Sequence, residues 1–180
     1  MKTLDVVTLA LLALLLTAFL VSYRILSQGF ADLEKSKVES NIQCAVSALA
    51  QESFVIDTLV FYWVAWDDTY AFIEGGNEAY IDSNLVDAVF FNTPLNIIVY
   101  IKYDGEIVFG KAFALNVEQE TALPYDLLEH LGVNGTLLRR AAVESSIRGM
   151  LLRSPGPMIL ASRPITTSEM DQPVRGAVIM

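Results

Sequence analysis

What the sequence lacks excludes several classes of function. The 180 residues include one cysteine, Cys44, and one histidine, His130. One cysteine excludes a disulfide within the chain, and one cysteine with one histidine excludes zinc sites built from these two residue types. No glycine-rich phosphate loop and no nucleophile elbow occurs. We therefore expect no metal, no cofactor and no catalytic residue, and we expect His130 on the surface.

Basic residues are also scarce, and the net charge at pH 7 is −9. Phosphate binding needs clustered lysine and arginine, so nucleic acid is excluded as a natural partner. Between Lys37 and Lys102 no basic residue occurs, whereas nine acidic residues do. This stretch is either a solvated acidic face or a surface that attracts cations and basic ligands. The acidic residues are Glu39, Glu52, Asp57, Asp67, Asp68, Glu74, Glu78, Asp82 and Asp87.

The N-terminal third lacks helix breakers. No proline precedes Pro94, and no glycine lies between Gly29 and Gly75. Apolar residues recur there at spacings close to three, four and seven, which predicts one long helix from about residue 26 to 65. Such a stripe must pack on its own domain, on a second copy as a parallel homodimer, or on both. Its members are Leu26, Phe30, Leu33, Ile42, Ala45, Leu49, Ile56, Leu59 and Trp63.

A long apolar run begins the chain. From Leu4 to Tyr23 the only charge is Asp5, and this length suits a helix that crosses a bilayer. The run ends without the small residues of a signal-peptide cleavage site, so we predict an uncleaved anchor over residues 1–25 and one domain over residues 26–180. Lys2 lies on one side, and Arg24, Lys35 and Lys37 lie on the other, which taken alone mildly favours a cytoplasmic domain.

Cys44 lies among apolar neighbours on the predicted long helix. We expect a small buried residue at this position. The alternative is a disulfide to a second copy, which requires an oxidising compartment.

The second half of the chain has the period of strands. Residues 96–103 and 106–111 are rich in β-branched and aromatic residues and flank Asp104-Gly105, a strong hairpin signal. Residues 149–152, 157–163 and 176–180 are further predicted strands, whereas residues 115–138 are predicted to form loops and short helices. Gly75-Gly76-Asn77 ends the helical region before an amphipathic stretch over residues 80–90. Together these segments predict an α+β domain with an antiparallel sheet, and the apolar final strand suggests a longer natural protein.

The densest cluster of candidate binding residues lies at residues 63–73. Its aromatic rings and adjacent carboxylates could bind an apolar ligand with a cationic head. Alternatively the rings belong to the core and the carboxylates cap the next helix. Catalysis by the two adjacent carboxylates is disfavoured, because neighbouring helical residues point about 100° apart. The candidate ligand-binding residues are Trp66, Asp67, Asp68 and Tyr70.

Arg163 is a fifth candidate ligand-binding residue. It ends an apolar predicted strand on the same face as Ile159 and Ala161. Pointing inward, it would clamp a carboxylate or phosphate. The alternative is an arginine at the rim of an edge strand, just before Pro164.

The order of these motifs resembles the CHASE4 domain. The resemblance covers nearly all of residues 30–180 and depends most on Trp66-Asp67-Asp68-Thr69-Tyr70, on residues 156–165 and on residues 176–180. It implies a single-Cache or PAS-like fold in an extracytoplasmic sensor, commonly of a histidine kinase or a cyclic-di-GMP enzyme. It also implies a second transmembrane helix after Met180, an outward-facing domain and a small-molecule ligand of unknown identity.

Two other functions fit parts of the sequence. An apolar N-terminal helix that continues into an α/β head is also the layout of a pilin-like structural subunit, although no processing segment precedes the run. An anchored hydrolase that uses Asp67 and Asp68 is the weakest of the three.

Overall fold

The computed structural model describes residues 2–132, 135–138, 145–153 and 156–180, with side chains from residue 5 onward. Two compact units are present, residues 1–48 and residues 49–180. The described residues of the first unit, 2–48, are all helical. The second contains the sheet, the short helices and the last turns of the long helix.

The long helix, α1, runs without interruption from Lys2 to Val64. This confirms the prediction of one helix that continues from the apolar run to about residue 65. Part of α1 is long and apolar enough to cross a membrane. Every side chain described in residues 5–48 is exposed, including that of Cys44. The prediction of a buried cysteine is therefore wrong, because the apolar neighbours of Cys44 are themselves exposed on α1.

Three short helices follow α1. The Gly75-Gly76-Asn77 breaker acts as predicted: Gly76 takes a φ of 62°, and the Asn77 side chain accepts a hydrogen bond from the Ala79 amide at 3.0 Å. The amphipathic stretch at residues 80–90 forms parts of two helices rather than one. The three helices are α2 (Asp67–Gly75), α3 (Glu78–Asn84) and α4 (Ala88–Asn92).

Six antiparallel strands form one sheet, which confirms the α+β class. The strands are β1 (Ile97–Lys102), β2 (Ile107–Ala114), β3 (Gln119–Thr121), β4 (Ile147–Leu151), β5 (Met158–Pro164) and β6 (Gly176–Ile179). Their order across the sheet is β3-β2-β1-β6-β5-β4. The last strand along the chain, β6, thus lies in the middle, between β1 and β5.

The segment at residues 115–138 differs in part from the prediction. It contains β3, which sequence reasoning missed because its three residues, Gln-Glu-Thr, are polar and exposed. It also contains the predicted short helices, α5 (Tyr125–Leu128) and a 3-10 helix (Thr136–Leu138). Residues 133 and 134 of this segment lie outside the described residues. His130, predicted on the surface, is half-buried.

The β1–β2 hairpin forms where Asp104-Gly105 predicts it. Gly105 has a φ of 92°, and the Asp104 carboxylate accepts a hydrogen bond from the Glu106 amide at 3.0 Å. One extra residue of β2 shifts the register between Tyr100 and Ile101. Such a bulge twists the hairpin locally.

Each face of the sheet carries its own apolar core. On one face, alternate residues of β1 and β6 pack under α1 to α4, with Tyr100 and Val178 fully buried. On the other face, Val99 and Ile179 pack against Leu127 of α5 and Leu138 of the 3-10 helix. Burial on both faces explains why β1 and β6 are almost wholly apolar.

Candidate functional site

A buried ion pair joins α1 to the sheet. The Arg163 guanidinium donates from Nε to Asp57 Oδ1 at 2.7 Å and from a terminal nitrogen to Oδ2 at 2.8 Å. The Asp57 side chain is 5% exposed and that of Arg163 is 18% exposed. A two-point pair of this kind fixes distance and orientation together. The last turns of α1 are therefore held in one position against β5.

The local sequence places both partners on the helix-covered face of the sheet. Asp57 follows Ile56 and precedes Val60 by three residues, so it lies beside the apolar stripe that α1 packs on the sheet. Arg163 is two residues from Ala161, whose side chain lies in the same core. The prediction that Arg163 lies on the same face of the sheet as Ala161 is confirmed. The alternative of an edge strand is wrong, because β5 lies between β6 and β4.

The charge of Asp57 is well compensated. Burial raises the pKa of its carboxyl, but hydrogen bonds from Arg163 and Ser146 and the charges of Arg163 and Arg148 outweigh burial and lower the pKa below its ordinary value. Ser146 donates to Asp57 Oδ1 at 2.5 Å, and an Arg148 terminal nitrogen lies 3.8 Å from Oδ2. Asp57 is therefore ionised at neutral pH.

Aromatic rings of α1 complete this cluster. The Arg163 guanidinium lies over the Phe61 ring, 5.1 Å from its centroid, and Arg148 lies 5.9 Å from the centroid of Phe54. Both distances suit cation–π contacts. We call Asp57, Arg163, Arg148, Ser146 and Phe61 the Asp57 cluster.

The aromatic and acidic motif lies where α1 gives way to α2. Trp66 is 43% exposed and stacks on Trp63, with ring centroids 6.4 Å apart. Asp67 accepts hydrogen bonds from the backbone amide and the hydroxyl of Ser168, at 3.0 and 3.1 Å. Asp68 is exposed. The predicted helix cap is wrong, because neither carboxylate caps α2 and Asp67 instead fixes the loop that follows β5.

Tyr70 is tied to the loop that precedes β6. Its hydroxyl donates to the Pro173 carbonyl at 2.9 Å and accepts from Arg175 Nε at 2.8 Å. Arg175 also pairs with Glu74, and its guanidinium lies 5.5 Å from the centroid of the Tyr70 ring. The hydrogen bond to Tyr70 is the largest of the contacts that raise the pKa of Arg175.

Packed side chains fill the space between the sheet and helices α2 and α3. The Phe72 ring stacks on Tyr80 at 4.5 Å and meets Tyr100 edge-on at 5.4 Å. The Tyr80 hydroxyl lies 2.6 Å from Thr69 Oγ1 and 3.3 Å from the Tyr100 hydroxyl. All four residues are at most 5% exposed, and burial raises the pKa of Tyr100. This region is a closed core with paired hydroxyls.

The model of the CHASE4 domain family matches residues 48–180, nearly three quarters of the chain. The chain belongs to the CHASE4 family. Its match therefore begins within α1 and includes the Asp57 cluster and the whole sheet.

The CHASE4 domain has a curated relative described as the methanogenesis regulatory histidine kinase FilI of Methanothrix harundinacea (strain 6Ac). The two are 23% identical over 150 residues, which make up 83% of this chain and 17% of FilI. The chain thus spans about one sixth of the length of that relative.

Two solved structures share the fold at 13% identity. One is the extracellular domain of vpHK1S-Z8, described as a histidine kinase, with a TM-score of 0.55 over 82% of this chain and 58% of that one. The other is a domain of a Vibrio parahaemolyticus protein described as sensory box/GGDEF, with a TM-score of 0.54 over 78% and 57%. Membership of the CHASE4 family makes this chain a sensor domain, and the two solved neighbours share its fold.

In this CHASE4 domain three of the five predicted ligand-binding residues are bound by other side chains of the protein. Arg163 binds Asp57, Tyr70 binds Arg175, and Asp67 binds Ser168. Trp66 and Asp68 stay exposed. The ligand-binding role of all five stays a prediction. Within the described residues, no group of three or more histidine, cysteine or acidic side chains could hold a metal ion.

Sequence reasoning missed Asp57 as a key residue. The signal was present, since Asp57 is the one acidic residue on the apolar stripe between Ile56 and Val64. A carboxylate on a core-facing stripe needs a cationic partner. Only the fold shows that this partner is Arg163, which lies 106 residues further along the chain.

Proposed function

We propose that this CHASE4 domain lies outside the cell, anchored by residues 4–23, and passes a ligand-induced change to a cytoplasmic output through α1. The apolar run supports the anchor. The family and the extracellular neighbour support the outward orientation. These two observations outweigh the basic residues that follow the apolar run, which alone mildly favour a cytoplasmic domain.

The observation that carries the proposal is the attachment of α1 to the sheet. The same helix contains the apolar run and the buried Asp57, and Asp57 is held by β5 through Arg163. A second attachment lies at its end, where the Thr166 amide donates to the Val64 carbonyl at 3.1 Å. The sheet could take two positions relative to these turns of α1. A ligand that binds one of the two arrangements more tightly would shift the equilibrium toward it, and α1 would move relative to the sheet.

The output we propose is a histidine kinase, because the curated relative is described as one. A cyclic-di-GMP enzyme is the alternative that the Vibrio parahaemolyticus neighbour favours. In either case catalysis would belong to another part of a longer protein, and residues 1–180 would sense. Family membership favours this role over a pilin-like subunit or an anchored hydrolase.

The ligand we propose is a small molecule that binds at or near Trp66 and Asp68, the two motif residues that stay exposed. An exposed indole beside a carboxylate suits a ligand with a cationic group. A thermal-shift screen of cationic metabolites on the full chain in detergent micelles tests this. A stabiliser should lose at least about tenfold in affinity in Trp66→Ala and Asp68→Asn, which removes about 1.4 kcal/mol of binding free energy.

The control for the ligand test is Asp82→Asn, because Asp82 is an exposed carboxylate on α3 outside the motif. This variant should bind as the original chain does. If no cationic metabolite stabilises the chain, or if all three variants bind equally, this ligand site is wrong.

We also propose a parallel homodimer through α1, because exposed apolar residues such as Leu33, Ile42 and Val46 need cover. Cys44 is exposed and is the only cysteine, so a nitroxide attached there labels one position per copy. Parallel helices in contact should give a label-to-label distance below about 25 Å, since helix axes in contact lie about 10 Å apart and each label adds reach. A chain without a measurable intermolecular distance in liposomes would exclude this dimer, with Cys44→Ser as the unlabelled control.

A further inference from the structure

A cleft of about 600 Å³ lies where the last turn of α2 meets one end of the sheet. Ile73 and Glu74 line it from α2, and Lys102 and Asp104 line it from the β1–β2 hairpin. Arg175 lines it from the loop that precedes β6. Two lining side chains are thus basic and two are acidic, which sets this cleft apart from the apolar core beside it.

The strand register brings the two basic residues to the same end of the sheet. Lys102, the last residue of β1, lies opposite Gly176, the first residue of β6, so Arg175 is one residue beyond the paired strands. Side chains alternate along a strand, and Tyr100 lies in the core that α2 covers, so Lys102 lies on the same face. Arg175 reaches this face too, because its guanidinium contacts Glu74 of α2.

Each basic side chain is held in place by the protein and keeps donors for a ligand. Arg175 donates to the Tyr70 hydroxyl and pairs with Glu74. Lys102 donates to Glu106 at 2.7 Å, and this hydrogen bond raises the pKa of Lys102 above its ordinary value. Among the described residues, these contacts use only part of the N–H groups of a guanidinium and of an ammonium. Both cations are therefore oriented and still able to donate.

The two acidic side chains give the cleft its selectivity. The exposed Asp104 carboxylate accepts one hydrogen bond, from the Glu106 amide, and a carboxylate can accept several more. An anion that entered the cleft would lie near Glu74 and Asp104, and a cation would lie near Lys102 and Arg175. Like charges placed side by side discriminate against a ligand. A molecule that carries both charges can instead pair each of them with its opposite.

We propose that this cleft binds a small zwitterion, a molecule with one carboxylate and one ammonium group, of which a free amino acid is the simplest case. The carboxylate of the ligand accepts hydrogen bonds from Arg175 and Lys102, and its ammonium donates to Asp104. Such charge-assisted hydrogen bonds are stronger than those between neutral groups. The bound molecule would join the loop that precedes β6 to the β1–β2 hairpin.

This site is separate from the one proposed at Trp66 and Asp68. Asp68 lies in the first turn of α2 and Glu74 lies in its last, roughly 9 Å further along the helix axis. The inference does not depend on the sensor role, because a zwitterion can bind here whether or not its binding moves α1.

Isothermal titration of the full chain in detergent micelles tests the proposal, with the proteinogenic L-amino acids as probes, one at a time at pH 7. Asp104→Asn removes the partner of the ammonium but keeps an acceptor for the Glu106 amide, and Asn-Gly suits the turn as well as Asp-Gly does. Lys102→Gln removes a partner of the carboxylate. The matched controls are Asp82→Asn on α3 and Lys35→Gln on α1, since both residues are exposed and lie outside the cleft.

The expected result is that at least one amino acid binds and that Asp104→Asn and Lys102→Gln each weaken it at least about tenfold, while the two controls bind as the original chain does. Derivatives of that amino acid show which end meets which residue. Its N-acetyl form lacks the ammonium, so it should bind weakly and Asp104→Asn should weaken it no further. Its amide lacks the carboxylate, so Lys102→Gln should have no further effect. A residue with a merely structural role would not show this coupling.

Several results would overturn the proposal. No amino acid binds at millimolar concentration, the controls weaken binding as much as the cleft variants do, or both derivatives bind as tightly as the free amino acid. A loss of binding in Trp66→Ala with none in Asp104→Asn would place the molecule at the aromatic motif. That outcome would exclude the zwitterion site at the cleft and leave the ligand site at Trp66 standing.

Discussion

The two parts of α1 carry similar side chains in opposite surroundings. In residues 5–48 every described side chain is exposed, and Val46 is 53% exposed. In the last turns, from Ile56 to Val64, the apolar stripe packs on the sheet, and Val60 is fully buried. The first part therefore has an apolar surface that its own unit does not cover, whereas the second part is a piece of a domain core.

Under the proposed membrane anchor, this difference means that one helix lies in two environments. The apolar run at residues 4–23 has the length of a membrane span, and a bilayer would cover it. The stripe between that run and the domain is the surface for which we propose a second copy. The packed turns differ in having Asp57, a buried charge that Arg163 of β5 stabilises together with Ser146 and Arg148.

The largest expected effect on stability comes from removing the charge of Asp57, which holds the last turns of α1 against the sheet. Asp57→Asn leaves the half-buried Arg163 without its two charge-assisted hydrogen bonds to a carboxylate. We expect a loss of about 2–3 kcal/mol in the free energy of unfolding. Chemical denaturation of the full chain in micelles, followed by tryptophan fluorescence, measures it.

The matched control is Asp67→Asn, because Asp67 is an exposed carboxylate whose hydrogen-bond partner among the described residues is Ser168. It should cost less than about 0.5 kcal/mol. Equal losses in the two variants would contradict the view that the Asp57 cluster holds α1 against the sheet.

The pH dependence of unfolding tests whether the ionised form of Asp57 stabilises the fold. The pKa of Asp57 in the folded chain is below its ordinary value of 3.8. Its contribution to stability is therefore fully present above the ordinary value and is lost as the pH falls through the lowered one. The stability difference between the original chain and Asp57→Asn should be constant from pH 7 to 5 and should shrink below about pH 4. A difference that grows on acidification would show that the ionised carboxylate is not what stabilises the fold.

A smaller effect compares the two parts of α1 by one substitution. Val60→Ala removes two methyl groups from the core and should cost about 2 kcal/mol, whereas Val46→Ala removes them from an exposed position and should change stability by less than about 0.5 kcal/mol. Both unfolding free energies are measured on dilute chain in micelles. A comparable loss in Val46→Ala at low concentration would break the comparison, because it would place Val46 in a core of its own chain.

Local sequence signals predicted much of this fold. The apolar period and the lack of proline before Pro94 and of glycine between Gly29 and Gly75 predicted α1. Gly75-Gly76-Asn77 predicted the end of α2, and Asp104-Gly105 predicted the first hairpin. These features depend on neighbours within a few residues. Strand β3 was not predicted, because it pairs with β2 through its backbone and its three polar side chains are exposed.

The candidate site was less predictable than the fold. Its contacts join residues more than 100 positions apart, as in Asp57 with Arg163, Asp67 with Ser168 and Tyr70 with Arg175. No periodic pattern specifies such pairs, since they depend on which strands become neighbours. Sequence reasoning therefore singled out Arg163 and Tyr70 as candidate binding residues. It could not show that their side chains already bind other residues of the protein, Asp57 and Arg175.

The central claim, an extracytoplasmic sensor anchored by α1, is tested most directly at Cys44. This exposed residue lies 21 positions after Tyr23, roughly 30 Å along the helix from the end of the apolar run. A membrane-impermeant maleimide applied to intact cells that express the chain should label Cys44, and Cys44→Ser with Lys2→Cys should be labelled only after lysis. Labelling of Cys44 only after lysis would place the domain in the cytoplasm and contradict the account.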